Sequence, residues 1–514
     1  MNNRFLPFAI VLNLVLMGSG CAKTPDYWPT DGWRTSPPEA QGMDSETLSK
    51  LLEFIREHDM HMHSVTIIRH GYIVFDAYFW PASPSTLHDI ASCTKSLTST
   101  LVGIAQDKGY LDIDKTMLSY FPDRTVRNLD AEKQKITVKN LLTMTSGMKC
   151  VNVPTEVTLN EMLQSPDYVQ FALDLPVTAE PGSKWEYASC GSHLLGAIVA
   201  NSTGMSEEEF CRKNLFEPLG IDTFYWPRDR QGYNHGWGDL RMRPLDMAKL
   251  GFLYLHKGLW DSRRILSSNY VRKATKTRTK FESGEGYGYQ WWTYKFGSYY
   301  AKGRGGQRIF MAPVLDLIVV TTAGNSAAES DLYEPMLGQV ILPAVKKMGR
   351  GSLPENPDAF ARLEAGIKEA GEPPLPEPVP TLPQTAYDVS GKAWALDSNL
   401  VGWETLKLEF DNGSNEAFIT LMVNGRTNRF PVGLDGVPRI ATGESFAADS
   451  RYAGQDVALN GSWSSDTFAI DFNTIGVIER GTIAFHFIAD TVGIELFEKT
   501  FIGAPVTFTG KLKE

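Results

Sequence analysis

Residues 90–109 read IASCTKSLTSTLVGIAQDKG, and this stretch decides how the chain is built. Leu97, Leu101, Val102 and Ala105 recur at helical spacing and Gly109 ends the run, which predicts a helix beginning just after Ser92. Upstream, residues 64–69 and 72–79 are β-branched and aromatic runs joined at His70-Gly71, the pattern of a hairpin. The serine therefore stands near the point where a sheet hands the chain to a helix. Lys95 follows three residues later and shares a helical face with it, so its ammonium can lie beside the hydroxyl. A serine needs an adjacent base to become a nucleophile, and a desolvated lysine can supply one. The helix N-terminus adds free N–H groups suited to an oxyanion on an attacked carbonyl. Taken alone, the same residues also read as a helix cap, Ser92, and a solvated surface charge, Lys95.

Outward from this point, residues 44–58 predict an amphipathic helix on Leu48, Leu51, Leu52 and Ile55. Residues 110–260 read as helix and loop, and strands are expected at 299–302, 308–312 and 317–322, with a closing helix over 330–348. The expectation is an α+β domain over 40–348, an antiparallel sheet flanked by helices with a helical subdomain. The run Glu372-Pro373-Pro374-Leu375-Pro376-Glu377-Pro378 marks a stiff Pro-rich linker, placed at 349–385. Beyond it, period-two alternation such as Leu406-Lys407-Leu408-Glu409-Phe410, with turns at Asn412-Gly413 and Asn424-Gly425, predicts an all-β barrel or sandwich over 386–514.

At the other end, Arg4 precedes an apolar run from Phe5 to Met17 and then Gly18-Ser19-Gly20-Cys21. The run is too short for a transmembrane span and fits an export signal over 1–21. Cys21 after small residues resembles a bacterial lipoprotein signal, in which that thiol is acylated; Gly18 stands where such signals carry an aliphatic residue. Residues 22–39 then read as a tether. Across the 514 residues, Lys plus Arg number 50 and Asp plus Glu 60, a net charge of −10 that argues against a nucleic-acid partner. Five cysteines without a Cys-x-x-Cys pair suggest neither a disulfide scaffold nor a zinc site.

Several ordered stretches resemble the serine β-lactamase and penicillin-binding-protein superfamily, over roughly residues 40–348. They are Ile68-Arg69-His70-Gly71, Ser92 to Ser96, Leu141-Leu142-Thr143-Met144-Thr145-Ser146-Gly147, Pro181-Gly182, Tyr187-Ala188-Ser189, Pro218-Leu219-Gly220 and Asp246 to Gly251. Gly303-Arg304-Gly305-Gly306-Gln307, with Tyr287 to Trp292 upstream, is similar to the 6-aminohexanoate-oligomer hydrolase and esterase branch. The resemblance implies that Tyr187 shares proton handling with Lys95, and that Ser189 stands where the β-lactamases carry a substrate-contacting asparagine. It also implies that Arg304 occupies the family's Lys or His position, where it would hold a substrate carboxylate or steady Tyr187. Gly305 and Gly306 would let substrate approach, and the N–H of Gln307 would join that of Ser92 in an oxyanion hole.

The resulting expectation is an exported, lipid-anchored serine hydrolase acting on a small-molecule ester, amide or peptide. No metal or organic cofactor is implied. A D-Ala-type peptidase or weak β-lactamase is the nearest enzymatic alternative, and a penicillin-recognising or peptidoglycan-binding protein without turnover is the alternative of another class. His58, His61 and His63 fit a loop between helix and strand better than a metal site. His193 reads as a helix neighbour, and Cys93, Cys150, Cys190 and Cys211 as buried thiols whose pairing after export stays open.

Overall fold

A computed structural model describes residues 25–153, 155–442, 454–500 and 505–513. The expected signal segment and Cys21 lie outside the described residues. Nine strands form the first sheet, in the order Arg34–Thr35, Tyr72–Tyr78, Met62–Arg69, Leu317–Ala323, Gln307–Ala312, Tyr299–Gly303, Trp292–Thr293, Gly286–Tyr287 and Thr279–Lys280. All neighbours are antiparallel except the first pair. The central strands are near-continuous apolar runs because both faces are covered. Ile309, Met311, Ile318 and Val320 pack with Cys93, Leu97 and Leu101 of the helix Cys93–Asp107. Phe310, Val319 and Leu317 pack with Leu48, Leu51 and Ile55 of the helix Ser45–Glu57, which Asp44 caps through Thr47. The helical region between Asp107 and Thr279 supplies Ser189–Thr203, whose buried face lies on Cys93–Asp107.

Three boundaries differ from the sequence reading. The tether placed at 22–39 is folded onto the domain where described: Arg34–Thr35 is an edge strand, and the Tyr27 hydroxyl donates to Gly71 O at 2.6 Å. Within the linker placed at 349–385, Pro357–Ala370 is a helix capped by Asn356, with Leu363 buried against the Ser45–Glu57 helix and sheet. Its spaced apolar residues, Ala359, Leu363 and Ile367, outweigh the Pro-rich composition that begins only at Glu372. The closing helix is a short turn, Ala327–Ser330, followed without further break by Tyr333–Met336, the wider-wound Leu337–Ile341 and Leu342–Ala344.

The C-terminal strands form a barrel. Nine of them run in order from Arg426–Gly433 through Glu416–Val423, Trp403–Phe410, Ala393–Leu396, Val506–Leu512, Thr491–Glu498, Arg480–Ile488 and Thr467–Thr474 to Val457–Ser464. An odd number of antiparallel strands leaves the first and last pointing the same way, so the closing pair, Gly433 with Asn460, is parallel. Leu406, Leu408, Ile419, Leu421, Phe430, Phe468, Ile483 and Phe485 fill the interior as one apolar core.

Candidate active site

Ser92 directly precedes the helix Cys93–Asp107, and its side chain makes no capping hydrogen bond. Ala91, just before it, has φ 47°, a conformation that costs a residue with a Cβ and that recurs where a side chain must be presented. The turn is held by Ala91 N–H to Asp89 Oδ1 (2.7 Å), Thr94 Oγ1 to Ala91 O (2.7 Å) and Ile90 N–H to Leu240 O (2.9 Å). Gly303 lies against this turn: a Cβ there would meet Ile90 O at 2.6 Å and Ala91 Cβ at 3.1 Å, so only glycine fits.

Lys95, 2% exposed, reaches Ser92 Oγ at 2.9 Å and donates to Trp237 O at 2.8 Å. Surface charge is therefore the wrong description of Lys95, and capping the wrong one of Ser92. Burial lowers the ammonium to about 8, with Glu156 and Asp239 opposing the fall. About a tenth of the lysine is then neutral at pH 7. The ring of Tyr187 lies 4.8 Å from Lys95 Nζ. Burial raises the phenol well above 10, with Glu156 and Tyr287 adding to the rise, so Tyr187 is a neutral phenol rather than a phenolate. Asn152 holds its carbonyl at 2.8 Å. The neighbouring Cys93 is fully buried and its thiol is pushed up to about 12, which keeps it protonated.

The other expected residues fall into different surroundings. Ser189 is buried and donates its hydroxyl to Glu156. Arg304, expected to face a substrate carboxylate or Tyr187, instead directs its guanidinium to the barrel, to Glu479 at 2.6 Å and Thr500 at 3.0 Å. Gly305 and Gly306 form the turn between two strands, at φ 76° and 95°, and lie against Ile478 and against Asn325 and Ala323. Gln307 is fully buried; its amide donates to Arg304 O and Ala323 O and accepts from Ala323 N–H, while its carbonyl accepts from Cys93 Sγ. Among the histidines, His63 Nδ1 meets His88 Nε2 at 2.7 Å with His61 edge-on, and His193 pairs with Asp229 at 3.1 Å. The four described cysteines are free and buried.

Sequence reasoning missed three contributors. The carbonyl of Trp237 belongs to a Gly-Trp-Gly loop that fits only because Gly236 has no Cβ to strike Ser192 O at 2.6 Å; paired glycines around a tryptophan were the available signal. Glu156 carries no motif, and Glu479 is far away in the sequence.

Strand–turn–helix presentation of a serine, with a buried lysine one turn on and a tyrosine beside it, is the arrangement this fold builds. A family model described as Beta-lactamase matches residues 43–340, more than half of the chain, and the chain belongs to this family. It is similar to a β-lactamase of Providencia stuartii, 31% identical over 161 residues, which are 30% of this chain and 39% of that protein. It is also similar to the monacolin J acid methylbutanoyltransferase of Aspergillus terreus, 30% identical over 160 residues, 27% of this chain and 38% of the relative. The chain thus spans about two fifths of the length of these curated relatives. A solved Bacillus anthracis structure, named as a 6-aminohexanoate-dimer hydrolase, shares the fold with a TM-score of 0.51 at 19% identity, over 62% of this chain and 88% of that one.

Proposed function

We propose that the protein is an exported serine hydrolase that cleaves an ester or amide through a Ser92 acyl-enzyme. The observation that carries this is the 2.9 Å approach of a buried, weakly basic Lys95 to Ser92 Oγ. Neutral Lys95 accepts the Ser92 proton as Oγ bonds to the substrate carbonyl carbon, and the resulting oxyanion lies near the Ser92 N–H at the helix N-terminus. The N–H of Gln307 is the second donor in this reading. The proton passes from Lys95, through Tyr187, to the leaving oxygen or nitrogen as its bond to carbon breaks. Water then adds to the acyl carbon, giving up its proton along the same route in reverse, and Ser92 leaves with its proton restored. The substrate is a small ester, amide or peptide.

Export and membrane attachment through an acylated Cys21 belong to the same proposal. Among the described residues no helix is long and apolar enough to cross a membrane. Cys21→Ser should shift the protein from the membrane to the soluble fraction, and continued membrane retention counts against the anchor.

Purified protein offered short p-nitrophenyl esters, D-amino-acid amides, linear amides and a chromogenic cephalosporin should turn over at least one continuously, and Ser92→Ala should stop it. A single stoichiometric burst would instead favour the binding-protein reading. Preferential release of the acyl group to an added alcohol would favour acyl transfer, the activity named for the Aspergillus relative.

A further inference from the structure

One turn of the C-terminal barrel, residues 475–479 between Thr467–Thr474 and Arg480–Ile488, grips together with Arg480 both chain segments that flank Ser92. On the nucleophile side, Asp89 N–H donates to Gly476 O at 2.8 Å, while Asp89 Oδ1 holds Ala91 N–H. On the other side, Ile478, 1% exposed, covers Gly305 so closely that a Cβ there would lie 2.3 Å from its Cγ2. Glu479 accepts from Arg304 at 2.6 Å, and Arg480 donates to Gly324 O and to both carboxylate oxygens of Glu329. The Gly303–Gln307 turn is in turn packed on Ile90 and Ala91.

Exposed ion pairs hold little, but the Glu479 side chain is only 13% exposed and its partner sits inside the turn that leads to Gln307. Backbone that must present N–H groups to a reacting carbonyl tolerates little displacement, a misplacement of about 1 Å being worth on the order of a hundredfold in rate. The geometry points to Glu479 of the barrel as a positioning residue for the catalytic domain: through Arg304 it sets the Gly303–Gln307 turn against the nucleophile turn. This rests on Ser92 hydrolysis as proposed above. The barrel is then part of the catalytic unit rather than an appended module.

The test uses the full chain and a p-nitrophenyl ester, with fluorophosphonate labelling of Ser92 as a second readout. Glu479→Gln should lower kcat and the labelling rate about tenfold or more with KM within about threefold. Glu479→Asp, which keeps the charge, should recover part of the loss. Glu329→Gln, which removes the neighbouring interdomain pair without touching Arg304, should leave kcat near wild type. Unchanged kcat and labelling in Glu479→Gln would overturn the assignment, as would an equal loss in Glu329→Gln, which would mean that general docking matters and not this contact. A wild-type protein that neither turns over the ester nor takes the label at Ser92 overturns the hydrolase reading itself and the assignment with it.

Discussion

The two sides of the site are built in opposite ways. Ser92, Lys95 and the turn before them come from one short stretch, and the contact between them follows from three residues of helix. The facing turn, Gly303–Gln307, is held from outside by Ile478, Glu479 and Thr500 of a different domain. The first side takes its Ser92–Lys95 contact from local geometry and has one backbone bond to the barrel, Asp89 N–H to Gly476 O, whereas the second is held by side chains from that distant part of the chain. Damage to the first should therefore abolish the chemical step, whereas damage to the second should degrade it.

The largest expected effect is on the locally built side. Lys95→Ala removes the proposed base, 2.9 Å from Ser92, and should lower kcat by about a thousandfold and prevent fluorophosphonate labelling. Undiminished labelling would break the assignment of Lys95.

A smaller effect is expected from Gly305→Ala. The new Cβ meets Ile478, and φ 76° disfavours alanine, so unfolding free energy should fall by about 2–3 kcal/mol. Thermal or denaturant melting would read it, and an unchanged transition would show that the barrel does not press on this turn.

The mildest test needs no mutation. In the proposed mechanism Lys95 acts only when neutral, and its ammonium loses its proton at about 8, so kcat/KM should rise about tenfold per pH unit below that value and level off above it. Burial sets this midpoint first, by lowering it, and Glu156 and Asp239, which favour the charged form, oppose that fall. A flat profile between pH 6 and 8 would remove the neutral amine from the mechanism.

Much of this was readable in the chain. The strands around His70-Gly71 and the helix after Ser92 follow short-range periods and the structure has them within a residue or two, and the alternation beyond residue 386 is that of barrel strands. The helix Pro357–Ala370 was hidden because its flanks are rich in proline, and the edge strand Arg34–Thr35 because two residues carry no period. Within the site, Ser92 and Lys95 lie together as helical spacing placed them, and Tyr187 lies beside them as the family resemblance implied. Arg304 did not keep its expected surroundings, because the carboxylate that takes its charge lies 175 residues further along the chain.

By itself the sequence determined the local presentation of the serine: helical periodicity sets which face Lys95 shares with Ser92, and the stop at Gly109 bounds the helix. Only the tertiary structure decided that Lys95 is buried enough to fall to about 8, that the Ser189 hydroxyl is turned to Glu156, and that Arg304 belongs to an interdomain contact. The physical reason is range. Backbone period acts over a few residues, whereas desolvation and ion pairing depend on whatever the completed fold brings into contact, here a barrel turn far downstream.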